Sequence, residues 1–155
     1  METREEQLHR IEVRTKRKPT QCNCERCKSM CHTPCLGTPQ DILRLIEAGY
    51  ADKVAYSEWA VGILLGFTPY VIPMVQIEEK NGWCAFYHDG KCELHDKGLK
   101  PTEGILASHD LTPYELKPEH NLTFSVAREW VREENLKIVK EICDKLVIFY
   151  NHQTK

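Results

Sequence analysis

Apolar positions follow a helical period in two parts of the chain, follow a strand-like pattern in a third, and lose all periodicity across residues 22–35. The clearest helix starts after Thr38, a suitable N-cap. Pro39 fits its first turn, Asp41 complements its dipole, Ile42, Leu45 and Ile46 form its buried stripe, and Gly49 ends it. A second helix is expected from Ser57 to Leu65, with Ser57 as cap and Gly66 as stop. A long C-terminal helix is expected from Thr123 to about Phe149, because Val126, Trp130, Ile138, Ile142, Leu146 and Phe149 recur at helical spacing. Cys143, beside that stripe, reads as a small buried hydrophobe. Residues 1–18 predict a charged helix whose thin apolar side, Leu8, Ile11 and Val13, makes residues 1–20 a candidate mobile segment.

Between these helices the pattern turns to strands. "YVIPMVQI" at 70–77 reads as a strand that Pro73 confines to an edge or a bulge. Asn81-Gly82 and Asp89-Gly90 are strong hairpin turns, followed by "WCAFYH" from 83 and "KCELH" from 91. Residues 96–121 are polar and punctuated by Gly and Pro, which predicts short turns. The fold expected is α+β in a single domain of 155 residues, with helices around a small three-stranded antiparallel sheet.

Residues 22–35 need something other than hydrophobic burial to be ordered, and they carry Cys22, Cys24, Cys27, Cys31 and Cys35. The first twenty residues contain no apolar signal core, and the longest mostly apolar stretch, "WAVGILLGF" at 59–67, is too short to span a bilayer. A cytoplasmic, reducing location without membrane contact is therefore expected. In that compartment the eight cysteines point to metal binding or redox chemistry rather than to a disulfide framework. The net charge of −2 makes no case for nucleic acid. "RTKRK" at 14–18 keeps a zinc module for RNA or DNA as an alternative, although no Lys- and Arg-rich helix follows the cysteines.

The spacing of the thiols suits a tetrahedral ion. Cys24-x-x-Cys27 brings both sulfurs to one ion across a tight turn, and Cys31 and Cys35 share a face if their segment is helical. These four can form a single zinc finger. Cys84 and Cys92, which flank the Asp89-Gly90 turn, can instead complete a larger site as a second arm. A two-residue loop places Cys84 opposite His95, whereas a bulged three-residue loop puts Cys84 and Cys92 on one face. The candidate metal ligands are Cys24, Cys27, Cys31, Cys35, Cys84 and Cys92, with His95, His109 and Cys22 as open additions. Zinc is the first expectation, with iron or an iron–sulfur cluster as the alternative. A metalloenzyme would need an open coordination position and a nearby acid or base, for which Glu93, Glu103, His95 and His109 lie close in sequence. No nucleophile-elbow, P-loop or H-E-x-x-H motif accompanies them.

In order and spacing, Cys24, Cys27 and Cys31, then Asp41-Ile42, then Cys84-Ala-Phe86-Tyr87, Cys92-Glu-Leu94-His95 and Lys100-Pro101 resemble the YkgJ-type cysteine-cluster family of zinc- or iron-chelating domains. The resemblance covers roughly residues 22–104 and implies a metal-chelating domain with no established reaction. Three departures stand out. Three residues separate Cys27 from Cys31, so the family's adjacent Cys-Cys pair is missing; Lys100 stands where the family has Arg; and the family's last cysteine falls at Gly104. His109 is a candidate to replace that missing thiol.

Overall fold

A computed structural model describes residues 2–20, 24–108, 110 and 113–153. Helix α1 (Arg4–Thr15) opens with a reciprocal cap: the Glu6 N–H donates to the Thr3 hydroxyl, and the Thr3 N–H donates to the Glu6 carboxylate. Its apolar stripe is as thin as expected, yet the helix is docked. Gln7, Ile11 and Thr15 are buried, and Ile11 packs with Leu106 and Val126. Charged side chains supply the rest of the contact: Arg4 pairs with Asp41, Arg10 with Glu129, and Arg17, just past the helix, with Glu115. The N-terminal segment is thus clasped by ion pairs whose acids come from distant parts of the chain.

Helix α2 (Glu25–Ser29) runs into a 3-10 turn (Met30–His32). Helix α3 (Pro39–Glu47) starts at Thr38 as expected, with Thr38 and Asp41 capping each other, and buries Ile42, Leu43 and Leu45. Strand β1 (Val54–Trp59) pairs antiparallel with β2 (Ile72–Ile77), and one helical turn, α4 (Val61–Leu64), lies between them. The helix expected over 57–65 is therefore a strand end followed by that turn. Gly62 explains the change: a Cβ there would stand 2.4 Å from the Trp59 ring, so the chain folds tightly back over Trp59. Pro73 lies opposite Glu58 in this two-stranded sheet, where both strands are edges.

The expected three-stranded sheet is replaced, among the described residues, by separate two-stranded ladders. Strand β3 (Glu79–Lys80) pairs with β4 (Trp83–Cys84), and β5 (Tyr87–His88) pairs with β6 (Lys91–Cys92). Asn81-Gly82 and Asp89-Gly90 all have positive φ, as two-residue hairpin turns of the right-handed-twist type require. The ladder stops at Ala85-Phe86 because Phe86 turns fully into the core, while the Ala85 N–H donates to the Glu78 carbonyl.

Helices α5 (Thr102–Leu106), α6 (Leu122–Ala127) and α7 (Leu136–Gln153) follow. The single C-terminal helix expected from Thr123 is broken, with extended backbone at Arg132. Buried Asn135 causes the break to persist. Its amide donates to the Glu129 carbonyl and accepts from the Gln7 amide, bonds that a continuous helix would not offer. Val126, Trp130, Ile138, Ile142 and Leu146 are all buried nonetheless. The main core joins α3, α7, the β1–β2 sheet and the Phe86 and Leu94 side chains. The architecture is α+β with small antiparallel strand pairs. Among the described residues, no helix is long and apolar enough to cross a membrane.

Candidate metal centre

The second half of the thiol segment is fastened at two points. Between Cys31 and Cys35, the His32 ring stacks on Trp83, Trp83 stacks on Tyr87, and His32 Nδ1 lies 2.9 Å from the Gly82 carbonyl oxygen. A carbonyl only accepts, so the His32 proton sits on Nδ1. At its end, the Leu36 N–H donates to Glu103, the Gly37 N–H donates to Gln76, and the Gly37 carbonyl accepts from both Gln76 and Trp130. The region with little apolar side-chain content is held by stacked rings and buried polar bonds.

The segment facing the thiols is held by Asp41. Its buried carboxylate accepts from the Thr102 N–H and hydroxyl at 2.8 and 2.6 Å and from the Arg4 guanidinium at 2.6 Å. Arg4 also donates to the Lys100 carbonyl. One carboxylate thereby ties α1, α3 and the start of α5 together and sets where Lys100 and Gly104 lie.

Between these walls is a cavity of about 350 Å³ into which Cys27, Cys31, Cys35 and Cys92 all open. They come from α2, the 3-10 turn, the loop after it, and β6. Cys84 belongs to the same electrostatic group, because its charge acts on Cys35 while Cys31 and Cys92 act on it. Cys31, Cys35, Cys84 and Cys92 are free thiols. Burial pushes the Cys84 thiol up to about 11, Cys31 upward, and Cys35 furthest. Lys100 opposes the shift at Cys31 and Cys35. In the absence of a cation these thiols keep their protons at neutral pH.

Lys28, Lys91, Lys100 and His95 line the cavity with Asp96 as the opposing acid. Gly104 faces Cys35 directly: a Cβ there would stand 3.0 Å from the Cys35 sulfur. The position where the resemblance places a last cysteine is thus covered by the sulfur of Cys35. Glu103, next to it, has its carboxyl pushed up by burial, against the bonds from Thr123 and Leu36.

Of the expected ligands, Cys27, Cys31, Cys35 and Cys92 share the cavity and Cys84 is coupled to them, whereas Cys24 is exposed and does not line it. Cys22 and His109 lie outside the described residues. The two-residue Asp89-Gly90 loop forms, with His88 opposite Lys91 and Tyr87 opposite Cys92, but the Ala85-Phe86 turn ends that ladder, so Cys84 pairs with Glu79 instead of opposing His95; the bulged register is not realised. Cys143, expected to be buried, is exposed on α7. As the side chains stand, no group of three or more His, Cys, Asp and Glu among the described residues could hold a metal ion. The thiols surround a space rather than converge on a point. Sequence reasoning missed the His32–Trp83–Tyr87 stack and the place of Lys100 in the cavity, neither of which has a local signature. The chain matches no family model, no curated protein and no solved structure.

Proposed function

We propose that this chain chelates a soft metal ion, zinc first, through the thiolates of Cys31, Cys35, Cys84 and Cys92, in a reducing compartment. The observation that carries this reading is that three free thiols from two distant parts of the chain, Cys31, Cys35 and Cys92, line one cavity, with the Cys84 thiol electrostatically linked to them. Soft thiolates suit zinc or iron, and a bound cation displaces the protons that burial retains. Charge supports the same reading. A divalent ion with four thiolates carries two negative charges, and the three lysines and one aspartate lining the cavity carry two positive ones. The side chains close inward on binding, and the YkgJ-type resemblance points to the same class of chemistry.

A second reading draws on the size of the space. A cavity of about 350 Å³ between thiols that do not converge suits an iron–sulfur cluster, which spaces its cysteines more widely than a single ion does. Elemental analysis of protein purified without oxygen or added metal tests both. Colourless protein with stoichiometric zinc supports the first reading. Brown protein with iron and sulfide supports the second. Protein that is metal-free and takes up neither, with its thiols reduced, overturns both.

A further inference from the structure

Helix α7 carries a second apolar row beside the one it buries. Leu136, Val139, Cys143, Val147 and Tyr150 follow one another at intervals of three, four, four and three residues. They therefore share one face of the helix over about 21 Å. Leu136 is 55% exposed, Val147 59% and Tyr150 48%, and Cys143 is exposed as well. Val139 is half-buried at the border with the core row of Ile138, Ile142 and Leu146. On the solvent flank of the exposed row stand Lys140 and Asp144, bonded to each other at 2.8 Å.

We infer that α7 packs antiparallel against α7 of a second copy of this chain, about a two-fold axis at Cys143. The spacing of the row decides the occupant. A two-fold interface presents the same patch on both sides, and this row reads the same from either end. Leu136 then meets the partner's Tyr150, Val139 meets the partner's Val147, and Cys143 meets the partner's Cys143. Charge decides the direction. In the antiparallel pair Lys140 stands less than one helical turn from the partner's Asp144, and Asp144 from the partner's Lys140. A parallel pair would set lysine against lysine and aspartate against aspartate, which is repulsive. The small Cys143 side chain lets the helix axes approach to about 8–10 Å at the centre, as a serine there would. One helix from each copy makes an interface at the low end of the specific range, so the dimer is weak, with a dissociation constant on the order of 10 μM.

Sedimentation equilibrium of the full chain in reducing buffer, from about 1 to 100 μM, tests this. The wild type is expected to pass from monomer to dimer across that range, and a monomer throughout overturns the inference. Val147→Glu puts an unpaired charge into the seam and is expected to raise the dissociation constant at least about tenfold. A dimer that survives Val147→Glu uses another surface, such as the exposed turn α4, and overturns the inference too. Lys140→Glu and Asp144→Lys are each expected to weaken the dimer about tenfold, and the two together to restore it. In a parallel pair each single reversal would only exchange one like-charge contact for another, so single variants that bind as the wild type does overturn the antiparallel register. Lys140, Asp144 and Val147 are exposed, so unchanged far-ultraviolet circular dichroism is expected for every variant. The charge reversals remain a test even if Val147→Glu fails to fold.

Discussion

The His32 imidazole lies on the Trp83 indole with ring centroids 3.4 Å apart and planes 27° from parallel. This contact joins the thiol segment to the hairpin that carries Cys84. It is a stacking contact between two side chains, so it orders the site without any metal. Trp83→Ala is expected to lower the unfolding free energy of the metal-stripped protein by about 0.5–1.5 kcal/mol beyond the loss of buried area. Zinc affinity falls with it, because the thiol segment must then be ordered on binding. Urea denaturation with and without zinc, compared with Trp83→Phe, measures both effects; equal stability of the two variants would mean that the stack contributes nothing specific.

Cys84 and Cys143 separate ligand from bystander. Cys84→Ser removes a member of the coupled thiol group and is expected to lower metal content and thermal stability together. Cys143 is exposed on α7, so Cys143→Ser should leave both unchanged. Metal analysis with melting curves reads the outcome. Full occupancy in Cys84→Ser would break the link between the hairpin and the thiol segment.

In the metal-stripped protein, pH acts through the buried thiols. Burial raises Cys84 from the ordinary 9.0 to about 11, and Cys31 and Cys35 shift in the same direction. Above the ordinary value the unfolded chain loses these protons first, so it binds fewer protons than the folded chain. Stability therefore falls as pH rises through that window and is fully retained below it. Metal binding has the opposite sign, because a thiolate must form, so zinc affinity increases with pH. Urea midpoints and zinc competition measured across the alkaline range show opposite slopes if both statements hold.

Asp41 holds the wall of the cavity that carries Lys100 and Gly104. Removing its buried carboxylate leaves Arg4 unpaired and two Thr102 donors unsatisfied. Asp41→Ala is expected to cost about 3–5 kcal/mol, the range for breaking a buried ion pair from one side. Equilibrium unfolding measures it, and a loss below about 1 kcal/mol, the value of an exposed pair, would deny Asp41 its tying role.

Local chemistry was legible in the sequence. Thr38, Pro39 and Asp41 start α3 where expected, and Asn81-Gly82 and Asp89-Gly90 form the turns their positive φ values favour. The apolar stripe from Val126 to Leu146 marks buried residues correctly, because burial follows from apolar periodicity whether or not the helix is continuous. The cysteines that line the cavity were also candidates from their spacing alone. These features depend on residues a few positions apart, whose energetics the chain carries with it.

Tertiary contacts decided the rest. Asn135, bonded to Gln7 and Glu129, breaks the C-terminal helix; Trp59 against Gly62 turns an expected helix into a strand and a tight turn; and Phe86, drawn into the core, divides the expected sheet. The charged N-terminal segment docks because Asp41, Glu129 and Glu115 pair with Arg4, Arg10 and Arg17. Each outcome rests on partners distant in the chain, and side-chain burial or an ion pair at that range can outweigh a local preference worth less than about 1 kcal/mol per residue. Sequence alone showed how many thiols there are and how they are spaced; only the folded chain sets Cys35 against Gly104 and brings Lys100 into the same cavity.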